Sequence, residues 1–318
     1  MEIQFYGFHD SKVEELIRRE LHGVYDKRIR SVSVSFNQDP KWPLPDQDFK
    51  VLILWEPAAV MPWQYKRKCL ERFDFVLPMS SWRAKNLGLE SYCHHPYLRT
   101  ENTVSPYSLR ELLIVMINAP KFSASAKSNY GLRRQVSRAL FESGIKYELY
   151  GPNWKMNKGK ELQKRISALR NSIRALEKVD LKEITSNFFY SYPEHRGEIK
   201  NKLSLLANSN LSLVIENQSD FVTEKVFDSI VAGAVPVYVG PDLSQEFPAL
   251  YNCLIAVEPE ADKILDRILN LDRDELLTKK RAIVDFFNLT GGDSLEYWHP
   301  DRQWKRCGEL IRNAINDF

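Results

Sequence analysis

Short apolar runs that end abruptly at polar residues or proline constrain the fold of this chain most strongly. The run in DFKVLILWEP stops at Pro57, and ELLIVMINAP has the same character; both are typical of strands buried on both faces of a parallel sheet. Segments with helical spacing of apolar residues, such as SKVEELIRREL, alternate with these runs along the chain. The alternation predicts an α/β fold.

Two successive sets of this alternation predict two domains. With 318 residues, the chain is too long for one small domain. The first domain is predicted to cover 1–105, with a polar linker at 99–108, and the second to cover 106–295. The amphipathic end, 296–318, is interpreted as a helix that packs on a domain, with contact to a membrane surface as the alternative.

Composition limits the classes of function. Hydrophobic residues make up 43% and charged residues 27%, as in a globular protein, and a net charge of +3 is too small for a dedicated nucleic-acid binder. The four cysteines lie far apart without a C-x-x-C spacing, which is typical of reduced thiols. No apolar run approaches about 18 residues and the start is not a signal peptide, so we expect a cytoplasmic protein. The slightly basic balance leaves loose attachment to the inner face of the membrane open.

A helix with a narrow apolar seam is predicted near 160–180, inserted in the second domain. The seam has a 4-3-4-3 spacing over Leu162, Ile166, Leu169, Ile173 and Leu176. The helix is interpreted as an extra element that lies on its own domain. A partner helix or a contact between two copies of the chain is the alternative.

The stretch LSLVIEN is predicted to be a central strand that ends at Glu216 and Asn217. In open α/β sheets, ligands bind outside the carboxyl ends of the strands. The next helix starts near Val222 or Thr223, and its N-terminus carries exposed N–H groups and partial positive charge. This position suits an anion such as a pyrophosphate.

Glu224 and Lys225 stand side by side in the first turn of that helix. Adjacent helical residues point about 100° apart, so the two side chains do not hold the same atom from one direction. A nucleotide offers both kinds of partner, because ribose hydroxyls donate to a carboxylate and phosphates accept from an ammonium. A capped helix with solvated charges explains the pair equally well.

The longer stretch NLSLVIENQSDFVTEKVFDSIVAGAVPVYVGP resembles the signature of the α-1,3/4-fucosyltransferase family, glycosyltransferase family 10. The matching positions are Glu216, Asn217, Asp220, Val222, Thr223, Glu224, Lys225, Ala232, Gly233, Val235, Pro236 and Val237. Weaker likeness extends through HRGEIKNKLSLLANSN and KYELYGPNW. The resemblance covers about half of the chain, mainly the predicted second domain, and a bacterial-type member is the better fit.

The resemblance implies a GT-B fold, in which two Rossmann-like domains face each other across a cleft. The C-terminal domain would bind GDP-fucose and the N-terminal domain an acceptor glycan. Fucose would move with inversion, most readily in an α-1,3-type linkage, to a GlcNAc-type residue. No metal or cofactor would be required, since GDP-fucose is a substrate. In this fold the last helix often crosses back to the first domain.

The resemblance also implies a set of donor-binding residues. An arginine on an earlier helix corresponds best to Arg133, with Arg134 as the alternative, and would neutralise the leaving GDP together with Lys225. Glu224 would hold the ribose. The remaining members of the implied site are Tyr130, Glu216, Asn217, Phe221, Val222 and Thr223. Phe221 replaces the family's tyrosine, so a hydrogen bond from that hydroxyl is absent and stacking is retained.

Inversion by direct displacement needs a carboxylate that takes the proton of the acceptor hydroxyl. Glu56 is the candidate, because it ends the buried strand VLILWE of the first domain, beside Trp55. Burial there would raise the pKa of its carboxyl. The alternative is that Glu56 only caps a strand or pairs with a lysine.

Other motifs receive a structural interpretation. The D-x-D spellings at Asp46–Asp48 and Asp272–Asp274 are interpreted as solvated turns, and His94 and His95 as structural histidines, because strand neighbours point in opposite directions. Two alternatives to the fucosyltransferase remain. One is an inverting transferase with another nucleotide sugar, and the other is an inactive nucleotide- or glycan-binding module.

Overall fold

A computed structural model describes residues 1–7, 10–24, 28–39, 42–97, 112–155, 157–174, 179, 181, 185, 190–289 and 294–318. These residues divide into two compact units. Unit 1 takes the described residues of 1–98, 220–222 and 297–318, and unit 2 takes those of 99–219 and 223–296. The predicted linker at 99–108, which contains the predicted boundary at 105, lies outside the described residues.

Unit 1 is built on a sheet of four parallel strands in the order β1-β2-β3-β4. The strands are Glu2–Tyr6 (β1), Ser31–Phe36 (β2), Phe49–Leu54 (β3) and Phe75–Pro78 (β4). The helices within its first 98 residues are Ser11–Leu21 (α1), Arg67–Leu70 (α2) and Ser81–Leu87 (α3), with a 3₁₀ turn at Pro62–Tyr65. All strands point the same way, so their carboxyl ends meet at one edge, called here the carboxyl edge.

Unit 2 is built on a sheet of five strands in the order β6-β5-β7-β8-β9, and all of its strand pairs are parallel. The strands are Leu112–Ile117 (β5), Tyr147–Tyr150 (β6), Ser209–Ile215 (β7), Val235–Val239 (β8) and Ile255–Ala256 (β9). The helices are Tyr130–Glu142 (α4), Lys158–Arg174 (α5), Lys202–Ala207 (α6), Glu224–Val231 (α7), Pro248–Asn252 (α8), Ala261–Leu269 (α9) and Arg273–Asn288 (α10). A helix that follows a parallel strand begins at the carboxyl edge, which places the N-termini of these crossover helices there.

The predicted α/β class with two Rossmann-like, parallel-sheet units is confirmed. All seven residues of β7 are buried, as are all five of β8 and five of the six in β3. Such strands need cover on both faces, which only flanking helices provide in a parallel sheet. The continuous apolar runs of the sequence are therefore the direct cause of this architecture.

The last helix, Pro300–Asp317 (α11), belongs to unit 1 and packs along α1. Trp304, Ile311 and Ile315 are buried in the same apolar cluster as the inner face of α1. Gly308 sets the spacing between the helices, because a Cβ there would lie 2.6 Å from the Cβ of Glu20. Across the described residues, none of the helices combines the length and the apolar character that crossing a bilayer requires.

Candidate functional site

A cavity of about 190 Å³ opens at the carboxyl edge of unit 2. Its lining comes from the end of β5, the turn after β6, helix α6, the middle of β7 and the first two turns of α7. The lining residues are Ile117, Asn118, Ala119, Gly151, Pro152, Lys202, Leu206, Ser212, Leu213, Val214, Glu224, Lys225, Asp228 and Ser229. Glu224 and Lys225 of the predicted donor site therefore share one cavity, and we call it the unit 2 cavity.

Glu216 anchors the loop that leads to this cavity. Its carboxylate accepts from the backbone N–H of Thr223 at 2.8 Å and from the hydroxyl of Thr223 at 2.7 Å. The Nζ of Lys225 then donates to the Thr223 hydroxyl oxygen at 2.9 Å. Burial raises the pKa of the Glu216 carboxyl, while Lys225 and the bonds from Thr223 oppose that rise. Glu216 thus has a positioning role for the start of α7.

The N-terminus of α7 is left without a side-chain cap. Thr223 occupies the N-cap position, where a threonine hydroxyl normally accepts from the helix. Here that hydroxyl serves Glu216 and Lys225 instead. Glu216 takes up the N–H of Thr223, but the Thr223 side chain does not cap the first turn of α7, whose positive end favours an anion at this position.

Lys202 is a cation of the cavity that the sequence did not single out. Its Nζ contacts the carboxylate of the buried Asp228 and lies 4.0 Å from that of Glu224. Lys225 lies 3.8 Å from the same Glu224 oxygen. Glu224 is thus held between two ammonium groups and stays partly exposed.

Arg133 lies in α4 below the ends of β5 and β7, and it does not line the cavity. It donates to the carbonyl of Ile215 at 2.5 and 3.1 Å, to Asn217 Oδ1 at 2.8 Å and to the carbonyl of Ala119 at 3.5 Å. Its guanidinium also lies over the ring of the buried Tyr130. Burial lowers the pKa of Arg133. In this arrangement Arg133, Tyr130 and Asn217 support the strand ends, and a direct contact of Arg133 with a phosphate stays a prediction.

Arg134, the alternative to Arg133, is buried on the other side of α4. It donates to the carbonyl of Lys121 at 2.8 Å, and its guanidinium lies over the ring of Phe122. It too is absent from the lining of the unit 2 cavity.

Asn118 is one of the lining residues of the unit 2 cavity. Its side chain is buried, and both its Oδ1 and its Nδ2 have no hydrogen-bond partner among the residues that the structure describes. Gly151 crosses it closely, because a Cβ at Gly151 would lie 2.0 Å from the carbonyl oxygen of Asn118. A buried amide whose donor and acceptor both lack a protein partner leaves hydrogen-bonding capacity for a water or a ligand.

The segment 220–222, which the sequence places in the donor motif, belongs to unit 1. Asp220 forms a buried ion pair with Arg83, and it accepts from Asn86 at 3.1 Å. Its carbonyl accepts from the hydroxyl of Ser80 at 2.7 Å. Phe221 and Val222 are also buried. Of the nine predicted donor residues, Glu224 and Lys225 line the unit 2 cavity, and the other seven do not: Tyr130, Arg133, Glu216, Asn217, Phe221, Val222 and Thr223.

Glu56 lies just after β3 at the carboxyl edge of unit 1, and its peptide group is held on both sides. Its N–H donates to Asn37 Oδ1 at 2.8 Å. Its carbonyl accepts from Gln64 Nε2 at 2.9 Å and from the hydroxyl of Tyr65 at 2.5 Å. Burial raises the pKa of Tyr65, which keeps this phenol protonated and able to donate. The clamp positions a half-buried carboxylate.

Aromatic rings and Arg83 pack around this clamp. The guanidinium of Arg83 lies 4.5 Å from the centre of the Tyr65 ring, so Asp220 supports the clamp through Arg83. Trp55 packs against His95, whose ring centre is 4.1 Å away. His95 in turn meets Phe221 at 5.7 Å.

A second cavity, of about 300 Å³, lies at the carboxyl edge of unit 1. It is lined by Tyr6, Gly7, Ser35, Gln38, Trp42, Pro43 and Pro45. None of these lining side chains is charged. Trp42 is exposed, and the buried hydroxyl of Ser35 has no hydrogen-bond partner among the described residues. An exposed ring beside an open hydroxyl suits a neutral polar ligand with apolar faces, such as a sugar ring.

The D-x-D motifs and the histidines occupy structural positions. Asp48 accepts from the N–H groups of Arg30 and Ser31 at the start of β2, and Asp272 caps α10. His94 is buried among aromatic rings. Within the described ranges, no group of three His, Cys, Asp or Glu side chains is placed to hold a metal ion.

The comparisons with known proteins include a short similarity in sequence. No protein-family model matches the chain. A region of 92 residues, 28% of the chain, is 33% identical to a putative fucosyltransferase-like protein of Arabidopsis thaliana. The match spans only 18% of the length of that relative.

Two solved glycosyltransferase structures are similar in fold over almost the whole chain. One is a UDP-forming α,α-trehalose-phosphate synthase of Burkholderia vietnamiensis, at 9% identity and a TM-score of 0.46 over 98% of this chain and 81% of the other. The other is TarM of S. aureus, at 10% identity and a TM-score of 0.46 over 96% and 59%. Likenesses at this level leave function to be argued from the site.

Proposed function

We propose that this chain is a glycosyltransferase that moves fucose from GDP-fucose, with inversion, to a hydroxyl of a GlcNAc-type residue in an acceptor glycan. The proposal rests on the family signature around Glu216–Lys225 and on the geometry of the two cavities. The sequence similarity to a fucosyltransferase-like protein points in the same direction.

In this proposal unit 2 binds the donor. The diphosphate takes the place of a cap at the N-terminus of α7, where Lys225 and Lys202 line the cavity. Glu224 accepts from a ribose hydroxyl, and the open amide of Asn118 bonds the nucleoside. Negative charge on the diphosphate grows as the leaving group departs, so fixed cations at this position stabilise the transition state more than the ground state.

Unit 1 supplies the base and a place for the acceptor. Glu56 accepts the proton of the attacking hydroxyl while that oxygen forms a bond to the anomeric carbon of fucose. The bond from that carbon to the diphosphate oxygen breaks in the same step, and GDP leaves as the anion. The clamp fixes the backbone from which the Glu56 carboxylate projects, which supports this role because a general base must lie within reach of the proton it takes.

The observation that carries the proposal is the convergence of Lys225, Glu224 and the uncapped start of α7 on one cavity. The test is titration calorimetry of the purified chain with GDP-fucose, GDP-mannose, UDP-glucose and GDP. We expect binding of the guanine nucleotides with micromolar affinity or better and no heat with UDP-glucose.

Binding of UDP-glucose alone would move the assignment to another nucleotide sugar. If GDP binds but no fucose reaches a panel of GlcNAc-containing acceptors, the chain is a binding module rather than an enzyme. No binding of any nucleotide contradicts the proposal.

A further inference from the structure

Asp220 stands in the donor motif, four residues before Glu224, yet it belongs to unit 1. Its side chain is buried, and it is not among the described residues that line the unit 2 cavity. A donor-binding role therefore does not account for a carboxylate at this position of the motif. The contacts that Asp220 makes within unit 1 indicate a different role.

The first turns of α3 hold Asp220 in place. The hydroxyl of Ser80, the N-cap residue of α3, donates to the carbonyl of Asp220 at 2.7 Å and accepts from the N–H of Arg83 at 3.2 Å. Arg83 forms a buried ion pair with one carboxylate oxygen of Asp220. Asn86, one turn further along α3, donates to the other oxygen at 3.1 Å. Both carboxylate oxygens and the carbonyl of Asp220 are thus bound by one short segment.

The ion pair also fixes the position of the Arg83 guanidinium. Arg83 is 4% exposed and Asp220 is 7% exposed, so both charges lie out of water and depend on each other. The guanidinium lies over the ring of Tyr65, 4.5 Å from the ring centre. Such a contact between a cation and an aromatic ring is strongest where water is excluded. The pair therefore holds the guanidinium and the ring together.

Tyr65 carries this support to Glu56. Its hydroxyl donates to the carbonyl of Glu56 at 2.5 Å. Burial raises the pKa of Tyr65, and the charges of Arg83, Asp220 and Glu56 also act on that pKa, so all three groups lie near the phenol. A continuous series of contacts thus runs from Asp220 through Arg83 and Tyr65 to the peptide of Glu56.

We propose that Asp220 is a positioning residue for Glu56, because it holds Arg83 over the Tyr65 ring and Tyr65 thereby keeps the Glu56 peptide in place. This inference rests on the proposed role of Glu56 as the base. A base must lie within reach of the proton it takes, and a displacement of about 1 Å costs on the order of 100-fold in rate. Asp220 therefore affects turnover without touching either substrate.

A simpler role for Asp220 would be to hold the loop that leads into α7. That role predicts a loss of GDP affinity, because Thr223, Glu224 and Lys225 follow Asp220 closely in the chain. The positioning role predicts a loss of kcat while GDP affinity stays nearly constant. A comparison of kcat with GDP affinity therefore separates the two roles.

The test is a double-mutant cycle between Asp220→Asn and Tyr65→Phe, with kcat for fucose transfer and GDP affinity by calorimetry as the two measurements. Tyr65→Phe removes the hydroxyl that reaches Glu56, so kcat should fall by about three- to tenfold. Asp220→Asn should lower kcat by on the order of 10–100-fold. It releases Arg83 from its partner, and the unpaired guanidinium favours the ionised, less basic form of Glu56.

The double variant should lose about as much kcat as Asp220→Asn alone, because both substitutions act through the same hydroxyl. GDP affinity should change by less than about threefold in all three variants.

Two further variants control for damage to the fold. Glu20→Gln is the matched control, because Glu20 pairs with Arg312 elsewhere in unit 1. Its kcat should stay within about twofold of wild type, and its effect should add to that of Tyr65→Phe. The combined replacement of Arg83 by Met and Asp220 by Asn removes both buried charges, and it takes the place of Asp220→Asn in the cycle if thermal melting shows that the single variant does not fold.

Hydrogen exchange of the chain without substrates gives a measurement that does not depend on the proposed function. The N–H of Glu56 donates to Asn37 Oδ1, so its exchange rate reports on the clamp. Asp220→Asn, the combined replacement and Tyr65→Phe should each speed exchange in segment 55–65 by at least about tenfold. Glu20→Gln should leave exchange in this segment unchanged.

The proposal is overturned if the losses of kcat add in the cycle, or if GDP affinity falls as much as kcat does. It is also overturned if segment 55–65 exchanges at the same rate in wild type and in the Asp220 variants. If wild type transfers no fucose to any acceptor, the proposed function fails, and the exchange measurement alone then decides whether Asp220 supports the clamp.

Discussion

The carboxyl edges of the two sheets have the same backbone plan and opposite chemistry. At the edge of unit 2, ammonium groups, carboxylates and an uncapped helix start surround one cavity. At the edge of unit 1, the neutral side chains of Asn37, Gln64 and Tyr65 bond the peptide group of Glu56, and the Arg83–Asp220 ion pair packs against the Tyr65 ring.

Under the proposed function, this difference corresponds to two substrates. The charged groups of unit 2 would hold a diphosphate and stabilise its growing charge, and the neutral groups and rings of unit 1 would orient a sugar. The following variants test this division of roles, beginning with the largest expected effect.

Glu56→Gln tests the proposed base at the unit 1 edge. The amide keeps the shape of the side chain and cannot accept the proton, so we expect kcat to fall by about 10²–10⁴-fold. GDP affinity, measured by calorimetry, should not change, because Glu56 lies in unit 1 and the proposed GDP site lies in unit 2. A parallel loss of GDP affinity would contradict the separation of the two edges.

Lys225→Met tests the principal cation of the unit 2 edge. Loss of a charge-assisted bond to phosphate should weaken GDP binding by on the order of 10–100-fold. The weakening should shrink as salt is raised, because salt screens the interaction in wild type. Calorimetry at two ionic strengths measures the loss of GDP affinity and its salt dependence. An unchanged affinity would show that Lys225 does not contact the nucleotide.

Lys202→Met tests the cation that the structure added to the site. We expect GDP affinity to fall by about tenfold and stability to fall as well, because the buried Asp228 carboxylate loses its contact with the Lys202 ammonium. The double variant with Asp228→Asn should regain the melting temperature and not the affinity. Lys200→Met, an exposed neighbour, is the matched control and should resemble wild type. Recovery of both properties in the double variant would mean that Lys202 is only structural.

Replacement of Asn37 by Gly or Ala tests the neutral clamp on the Glu56 peptide. It adopts a left-handed φ of 63° and accepts from the N–H of Glu56. Both Asn37→Gly and Asn37→Ala lose this bond, but only Ala has a Cβ that opposes the backbone conformation. We expect Ala to be less stable than Gly by about 1 kcal/mol. Urea unfolding of the two variants measures the difference, and equal stability would show that the backbone relaxes.

Glu216→Gln has the smallest expected effect and concerns pH. Burial raises the pKa of Glu216, so its contribution to stability is present below the unfolded pKa of about 4.3 and is lost as pH rises through the folded value. Wild type should therefore lose stability relative to the Gln variant as pH rises above about 4. Urea midpoints across this range measure the trend, and a difference independent of pH contradicts it.

Much of the architecture could be predicted from the sequence, because it depends on local patterns. Continuous apolar runs became β3, β7 and β8, and the predicted helix after LSLVIEN became α7 within two residues of its expected start. The placement of Glu224 and Lys225 at the carboxyl edge follows from the same alternation. Buried strands and helix starts depend on patterns of a few consecutive residues, so a single sequence is enough to predict them.

The parts that the sequence did not reveal depend on residues far apart in the chain. Asp220 lies within the motif, yet its partner is Arg83, 137 residues away. Arg133 is a suitable phosphate ligand by residue type, yet its donors reach the carbonyls of Ala119 and Ile215. Lys202 carried one available signal: it begins a helix before a central strand, and such starts lie at the carboxyl edge.

The crossing of Gly151 over Asn118 has a practical consequence for redesign. Because the polypeptide itself forms that wall, no rotamer change can make room for a methyl group at position 151. Redesign of the ligand preference of the unit 2 cavity should keep Gly151 and vary Pro152 or Leu206, which also line the cavity.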